Sequence, residues 1–343
     1  MAGAVNAYTA PGPGAGRVIL MRIRFTAGLL ALGVAVSLAG CATVPPPMPA
    51  AWQATAVPLV PIKRTDHPVV VIVLSSGAAR GFAHAGVLRV LDENGIMPDA
   101  VVGTSAGSVV GALYAGGIRG EALVEAALDL QRAQVVEFTY PNRGFVNGQR
   151  LRDYMDQRLG DRPIERLGLP FVAVATDLHT GQLVAFNRGD TGTAVRASSS
   201  VPAVFQPLAM DGHEYLDGGL VSPVPVRVAR ALGADIVIAV DVTHQPTADK
   251  QFDSTGALVT QSLVIMEHTL ASNELKDADI VIRPDLREAP TVDFSPNLRG
   301  EVIAAGEHAA RAALPRIREL IEVKRRQLFK LAEPEPGAAA STH

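Results

Sequence analysis

An unbroken apolar run from Pro68 to Leu74 constrains the fold more than any other part of the sequence. It consists of valine, isoleucine and leucine after the proline, without polar residues in alternation, and this pattern is typical of a β-strand buried on both faces. Strands of this kind occur in parallel sheets, because crossover helices cover both faces of such a sheet. The run therefore predicts an α/β fold.

The residues that follow alternate between helix and strand patterns. Apolar side chains at helical spacing continue from Phe82 to Gly95, a short strand is predicted at 99–103, and a second helix begins near Ala106. This order is typical of right-handed βαβ units. Further strands are predicted at 170–178, 182–188, 234–242 and 278–284, and further helices at 148–160 and 223–233. The sequence thus predicts a mainly parallel sheet of five to seven strands.

Two later segments carry weaker patterns. Residues 301–333 predict one or two terminal helices with a break at Pro315, because proline lacks the N–H group that a helix interior uses. Residues 246–256 are polar and without periodicity, so we expect a loop or flap there.

Composition excludes several classes of function. The chain has 343 residues, 48% of them hydrophobic, and a formal net charge of -3, with no basic stripe of the kind that binds nucleic acid. It contains one cysteine, so a disulfide framework and a thiolate metal site are excluded. The eight histidines form no HExxH pair or similar close spacing, so we expect no metal and no cofactor.

The single cysteine, Cys41, follows a secretory leader. From Met21 the chain has two arginines, an apolar stretch too short to span a bilayer, and small residues directly before Cys41. The ending Leu-Ala-Gly-Cys resembles the lipobox of bacterial lipoproteins, which implies that the Cys41 thiol receives a lipid and becomes the mature N-terminus. Ala42, in place of an aspartate, favours the periplasmic face of the outer membrane by the same analogy. An unmodified cysteine is the alternative, and Met21 is a better start than Met1.

The domain organisation follows from these patterns. Residues 1–40 are predicted to form a leader, and residues 41–66 are predicted to form a Pro-rich tether between lipid and domain. An α/β domain is expected over 67–290, terminal helices packing on it over 291–334, and a frayed tail over 335–343.

Ser105 lies in the pentapeptide "GTSAG", between the predicted strand 99–103 and the helix that begins near Ala106. A strand-to-helix turn of this kind exposes a nucleophilic hydroxyl, and the flanking Gly103 and Gly107 leave room for a strained backbone. Serine is also a good helix cap, so the pentapeptide alone leaves both interpretations open.

A nucleophilic serine needs oxyanion donors. The stretch "SGAARG", from Ser76 to Gly81, is a turn into a helix whose free N–H groups would face an anion. A nucleotide-phosphate loop is the alternative. The GxGxxG pattern and the GK[ST] ending are both missing, which disfavours it.

The serine also needs a base. Asp217 stands before Gly218 and Gly219 at the end of a short predicted strand, where the chain can turn tightly; a simple hairpin turn is the alternative. His244 and His268 lie downstream, as histidines do in many Ser-acid-His hydrolases, but neither has a distinctive setting.

Taken together, "SGAARG", "GTSAG" and "DGG" resemble the three motifs of the patatin-like phospholipase family, in that order. The resemblance extends over about 67–284 and implies a three-layer α/β/α patatin-like fold with a mainly parallel central sheet. It further implies a Ser-Asp dyad without histidine, with Ser105 as nucleophile and Asp217 as general base. The implied oxyanion hole comprises Gly77, Ala78, Ala79 and Arg80, and the motif glycines are Gly81, Gly103, Gly107, Gly218 and Gly219.

The resemblance implies a serine lipid acyl hydrolase acting on phospholipid, lysophospholipid or another acyl ester at a membrane. A non-catalytic, membrane-tethered lipid-binding protein and an acyltransferase with the same dyad remain alternatives. Two glycines of the family's Gly-rich stretch are Ser76 and Ala78 here, which restricts the backbone if either residue needs positive φ. Arg80 is implied to steady the turn or to meet substrate phosphate, with a solvated arginine as the alternative.

Overall fold

A computed structural model describes residues 53–63, 67–140, 143–246, 252–286, 289 and 293–332. The strands are β1 Ala54–Thr55, β2 Val70–Leu74, β3 Ala100–Thr104, β4 Phe171–Asp177, β5 Leu183–Phe186, β6 Arg188–Gly189, β7 Leu208–Met210, β8 His213–Asp217, β9 Ile236–Val240 and β10 Ile280–Ile282. The helices are α1 Phe82–Glu93, α2 Ala106–Ala115, α3 Gly120–Asp129, α4 Arg132–Val135, α5 Gln149–Leu159, α6 Thr191–Ser198, α7 Val226–Ala231, α8 Thr255–Glu274 and α9 Pro296–Ala332.

The central sheet has the order β10-β9-β2-β3-β4-β8-β7, and β5 also pairs with β4. The five strands from β10 to β4 are parallel, whereas β5, β7 and β8 are added in antiparallel pairings. Among the described residues this sheet has eight strands, more than the five to seven that the sequence predicts. The sequence analysis predicted a short strand that ends at Asp217, which is β8, but it missed the three-residue strand β7.

Side chains of each strand alternate between two apolar layers. Ile72 and Leu74 of β2 pack with α1 and α9 on one face, whereas Val71 and Val73 pack with α7 and the end of α8 on the other. A strand whose two faces are both covered has no polar positions, which explains the unbroken apolar run. The fold is a three-layer α/β/α domain with a mainly parallel central sheet, as predicted.

The end of the predicted tether lies against the domain. Ala54 of β1 is buried and pairs with Gly189 of β6, and the N–H group of Ile62 donates to Leu232 O at 2.8 Å. The prediction of a tether through residue 66 is therefore wrong for 53–63. A strand of two residues is too short to show the alternation of apolar and polar side chains from which strands are predicted. The leader, Cys41 and the tail at 335–343 lie outside the described residues.

The predicted break at Pro315 is also wrong, because α9 runs through it. Ala310 and Ile317 are buried on the core side, while Pro315 and Arg311 face solvent. The carbonyl that loses its partner four residues before the proline can therefore bind water, and packing holds the two halves in one helix. None of the helices within the described ranges is both long and apolar enough to cross a bilayer.

Candidate active site

Ser105 occupies a strained turn between β3 and α2. Its φ is 54° and its ψ is -122°, a conformation that serine rarely adopts. Its N–H group donates to Ser198 Oγ at 2.9 Å, and its carbonyl accepts from Ser108 Oγ at 2.7 Å. These bonds hold the residue in an outlier conformation, and it is not the N-cap side-chain acceptor that the alternative interpretation requires.

The glycines on either side of Ser105 are required by close backbone contacts. A Cβ atom on Gly103 would lie 2.4 Å from Gly107 O, and one on Gly107 would lie 2.2 Å from Leu74 O. Both distances are far below van der Waals contact. The tight turn therefore depends on both glycines, and Gly107 lets α2 begin directly against the end of β2.

Asp217 ends β8 at the level of Ser105. It pairs with Ala175 of β4, and its main-chain carbonyl accepts from Thr176 Oγ1 at 2.8 Å. A Cβ on Gly218 would lie 2.2 Å from Val174 O, so the chain after Asp217 presses against the sheet. The "DGG" segment is thus a strand end followed by a 3-10 turn, and not the hairpin turn of the alternative interpretation.

The carboxyl of Asp217 is buried and half satisfied. Oδ1 accepts from the N–H group of Gly219 at 2.7 Å, whereas Oδ2 has no partner with full hydrogen-bond geometry among the described residues. Burial raises the pKa of Asp217 to about 7, while the nearby hydroxyl of Ser105 and the Gly219 N–H group lower it. The structure thus brings together the two predicted dyad residues, with one carboxyl oxygen left for the serine.

The turn from Ser76 to Gly81 lies beside both residues. A Cβ on Gly81 would lie 2.5 Å from Ala106 Cβ, and a Cβ on Gly219 would lie 3.4 Å from Ser76 Oγ. Among the described residues, the N–H groups of Gly77 and Ala78 have no hydrogen-bond acceptor. They are therefore available as donors next to Ser105.

Arg80 differs from the prediction in one respect, the use of its N–H group. The sequence analysis placed Arg80 among the oxyanion donors. Its N–H group instead donates to Gly77 O at 3.0 Å and is therefore not free. Its guanidinium is buried, not solvated, and donates to Thr243 O at 3.1 Å and Leu286 O at 2.9 Å. Because these carbonyls follow β9 and β10, Arg80 ties the turn to the ends of two neighbouring strands.

Ala78 adopts a φ of 49°, so the departure from glycine at this position has a structural cost. We expect Ala78→Gly to raise the free energy of unfolding by about 1 kcal/mol, because a left-handed residue with a Cβ is strained by about that amount. Ala79, buried and not among the positive-φ residues, provides the matched control. Ala79→Gly should lower stability in the same urea titration, and a loss of stability in both variants would contradict this account.

Glu267 of α8 was missed by the sequence analysis. Its carboxylate accepts from Ser76 Oγ at 2.5 Å, and its negative charge raises the pKa of Asp217. Burial raises the pKa of Glu267 itself, Asp241 raises it further, and Ser76 and Arg80 lower it. No motif marks this residue, because the contact joins positions 191 residues apart in the chain.

Removing the charge of Glu267 should shift the titration of Asp217. The ionised carboxylate of Glu267 disfavours a second negative charge nearby, so Glu267→Gln lowers the pKa of Asp217. We expect the acid limb of the kcat/KM profile to move to lower pH. Glu274 of α8, which bonds the N–H group of Val224 and does not act on Asp217, provides the control. A larger shift in Glu274→Gln than in Glu267→Gln would contradict the assignment.

Two further polar residues support the site. Ser198 Oγ accepts from the Ser105 N–H group and donates to Val174 O at 2.6 Å, and Ser200 O accepts from the Asp217 N–H group at 2.9 Å. Ser198 is the last residue of α6, and Ser200 lies two residues after it. Asp190 caps the start of this helix by accepting from the Thr193 N–H group. The sequence "ASSS" does not predict these roles, because its three adjacent serines cannot be told apart without the structure.

The two histidines considered as bases do not act on Asp217. His244 lines a cavity of about 320 Å³ with Arg80 and Asp241, and His268 lies on α8. Neither contributes to the pKa shift of Asp217. Within the described residues, no cluster of three or more acidic, histidine or cysteine side chains could hold a metal ion.

Comparisons with known proteins agree with this geometry. Residues 72–230 match the family model for patatin-like phospholipase. An uncharacterized NTE family protein of Mycobacterium tuberculosis is 35% identical over 184 residues, which cover 53% of this chain and 51% of that protein. Patatin-like phospholipase domain-containing protein 6 of Homo sapiens is 35% identical over 188 residues, covering 52% of this chain and 14% of that protein. The chain therefore matches about half the length, or less, of these relatives.

Among solved structures, VipD from Legionella pneumophila superposes with a TM-score of 0.53 at 14% sequence identity, covering 79% of this chain and 71% of that one. At this identity the likeness concerns the fold. The described domain is an α/β domain with a serine on a strained strand-to-helix turn and an aspartate at the end of a neighbouring strand. Over residues 72–230, the chain therefore resembles the patatin-like phospholipase family.

Proposed function

We propose that the protein is a serine hydrolase of lipid acyl esters, a carboxylic ester hydrolase that uses Ser105 and Asp217 without histidine. The observation that carries the proposal is the buried Asp217 carboxyl next to a serine at positive φ, in a site with free backbone donors. The match of residues 72–230 to the patatin-like phospholipase family model supports a lipid ester as substrate. A non-catalytic binding protein would have no need for the strain at Ser105.

In the proposed reaction, Asp217 accepts the hydroxyl proton of Ser105 while the serine oxygen attacks the ester carbonyl carbon. The carbonyl oxygen becomes an oxyanion, which the N–H groups of Gly77 and Ala78 stabilise. The tetrahedral intermediate collapses, and the alcohol leaves with the proton from Asp217. Water then attacks the carbonyl carbon of the acyl-serine while Asp217 accepts a proton from the water. The second tetrahedral intermediate collapses, Asp217 returns the proton to the Ser105 oxygen, and a carboxylic acid is released.

The environment of Asp217 suits this role. An aspartate at its ordinary pKa is a weak base toward a serine hydroxyl, whereas burial raises the pKa of Asp217 to about 7. A base whose pKa lies near the working pH combines a large ionised fraction with greater proton affinity. The Gly219 N–H bond to Oδ1 fixes the carboxyl and leaves Oδ2 toward the serine.

The remaining expectations of the sequence analysis enter as part of the proposal. Lipid on Cys41 would hold the domain at a membrane of the cell envelope, on the periplasmic face of the outer membrane, where phospholipid or lysophospholipid is at hand. Several buried acyl chains would make this attachment durable, because each buried CH₂ contributes about 0.8 kcal/mol. Transfer of the acyl group to an alcohol other than water would use the same dyad.

Lipid mass spectrometry tests the proposal. Purified protein is incubated with phosphatidylethanolamine vesicles, with Ser105→Ala protein in parallel. We expect free fatty acid and lysophospholipid in equal amounts with the wild type only. Acyl transfer would show as a new acylated alcohol in place of free fatty acid. Equal product with both proteins, or none with either protein on phospholipid, lysophospholipid and short-chain ester alike, would refute a lipid hydrolase that depends on Ser105.

A further inference from the structure

The N-terminal half of α8 carries exposed apolar side chains and no charge. Residues 254–266 contain no acidic or basic residue, and their polar members are serine, threonine and one glutamine. Five large apolar side chains in this stretch, which we call the uncharged half of α8, each expose between 47% and 60% of their surface: Leu258, Val259, Leu263, Ile265 and Met266. A surface helix of a water-exposed domain ordinarily carries charged residues there. This segment is therefore suited to an apolar environment.

The rest of α8 fixes this segment next to the active site. Glu274 accepts from the Val224 N–H group at 2.9 Å, and Ala271 packs in the core beneath the sheet. Seven residues earlier, Glu267 accepts from Ser76 Oγ, at the carboxyl end of β2. Residues before Glu267 must therefore continue past the edge of the sheet at which Ser105 lies, by about 18 Å for a dozen helical residues.

A second apolar patch, formed by Phe138, Tyr140, Phe145 and Val204, is connected to the same site. These side chains expose between 46% and 87% of their surface. The N–H group of Phe145 donates to Val204 O at 2.9 Å, which joins the two segments. Four residues before Val204, Ser200 O accepts from the Asp217 N–H group. Tyrosine is enriched at the headgroup level of bilayers, and phenylalanine is common on protein surfaces that insert into this region.

We propose that the uncharged half of α8 and the second apolar patch, formed by Phe138, Tyr140, Phe145 and Val204, are together a docking surface for a phospholipid bilayer. The proposal rests on the proposed function, because a bilayer supplies the acyl esters that Ser105 would attack. The uncharged half of α8 fits a membrane of zwitterionic lipid, because an anionic membrane would attract lysine and arginine and this segment has neither. Side chains inserted into the leaflet would bring the entrance of the site to the depth of the ester bonds.

The start of the described chain agrees with this orientation. Gln53 Nε2 donates to Asp211 Oδ1 at 2.7 Å, in the turn between β7 and β8, and β8 ends at Asp217. About twelve residues separate Gln53 from Cys41, which is a reach of about 40 Å when extended. An acyl chain on Cys41 can therefore enter the same membrane that the docking surface contacts.

Vesicle sedimentation tests the surface without requiring catalysis. The mature chain from residue 41 onward, with Cys41→Ser and Ser105→Ala, lacks the apolar leader, the lipid anchor and turnover. It is mixed with phosphatidylcholine and phosphatidylethanolamine vesicles. We expect Leu263→Ser/Met266→Ser to weaken binding about tenfold or more, because two exposed apolar side chains no longer leave water. Val323→Ser/Phe329→Ser, which removes exposed apolar side chains from α9, provides the control and should bind as the parent does.

A fluorescence measurement locates the contact. Cys41 is the sole cysteine, so Met266→Cys in the Cys41→Ser background gives one labelling position, and Val323→Cys gives its control. An environment-sensitive dye at 266 should shift to the blue on addition of vesicles, and the dye at 323 should not.

Two results would overturn the proposal. One is vesicle binding that is equal in the α8 variant and the parent. The other is an absence of vesicle binding combined with a dimer in solution that Leu263→Ser/Met266→Ser dissolves, which would make the surface an interface between two copies. Hydrolysis of a short soluble ester by the Ser105-containing chain is measured separately, so failure of the docking surface and failure of the proposed function remain distinguishable.

Discussion

Ser105→Ala is expected to lower kcat/KM for a short-chain ester by about four orders of magnitude or more, because covalent catalysis ends when the nucleophilic oxygen is removed. The N–H donors of Gly77 and Ala78 remain in this variant, so substrate binding should persist while turnover is lost. Steady-state kinetics on a chromogenic acyl ester gives the number. An unchanged rate would contradict the role of Ser105.

A second substitution at the same position separates catalysis from folding. Ser105→Gly also lacks the nucleophile, but glycine adopts the φ of 54° without strain. We expect it to be inactive and more stable than Ser105→Ala by about 1 kcal/mol in urea unfolding. An inactive Ser105→Ala with a normal unfolding transition, together with a stabilised Ser105→Gly, shows that activity is lost through chemistry and not through unfolding.

Asp217→Asn is expected to lower activity and to raise stability. The amide cannot accept the hydroxyl proton of Ser105, so kcat/KM should fall by about three orders of magnitude or more. The wild-type profile should lose activity as the pH falls through about 7, because burial raises the pKa of Asp217 to that value and the base must be ionised. The residual activity of the variant should lack this limb.

The stability effect of Asp217→Asn follows from the same pKa. A carboxyl with a pKa of 3.8 in the unfolded chain and about 7 in the folded one binds its proton more tightly when folded. Its ionisation therefore destabilises the wild type as the pH rises from about 4 to about 7. Asparagine does not ionise, so the variant should be more stable by on the order of 2–4 kcal/mol at pH 8, and by little at pH 4. Urea titrations at both pH values measure the difference, and a constant difference would contradict the burial argument.

Candidate site residues that lie in local motifs could be picked out from the sequence. Ser105 directly follows β3 between Gly103 and Gly107, and Asp217 ends β8 directly before Gly218. Close backbone contacts at Gly103, Gly107 and Gly218 explain why these positions are glycines. The predicted parallel sheet is confirmed as well, because a strand covered on both faces leaves an apolar run that is visible without any partner.

Contacts between distant segments could not be predicted. Glu267 contacts Ser76 across 191 positions of the chain. The sequence of α8 shows no amphipathic period, because Ala271 and Glu274 are its only buried residues and its N-terminal half exposes apolar side chains. Arg80 was placed among the oxyanion donors from its motif position, whereas its N–H group is used within the turn. At Pro315, the packing of the helix segments before and after the proline overrides its tendency to break a helix.

Covalent labelling with a fluorophosphonate tests the central claim most directly. The reagent phosphonylates an activated serine, and peptide mass spectrometry identifies the residue. We predict one adduct on Ser105, no adduct in Ser105→Ala, and labelling slowed by about a hundredfold or more in Asp217→Asn, which keeps the serine but not its base. An adduct on another serine in the wild type, or equal labelling rates with and without the Asp217 carboxylate, would contradict a Ser105–Asp217 dyad.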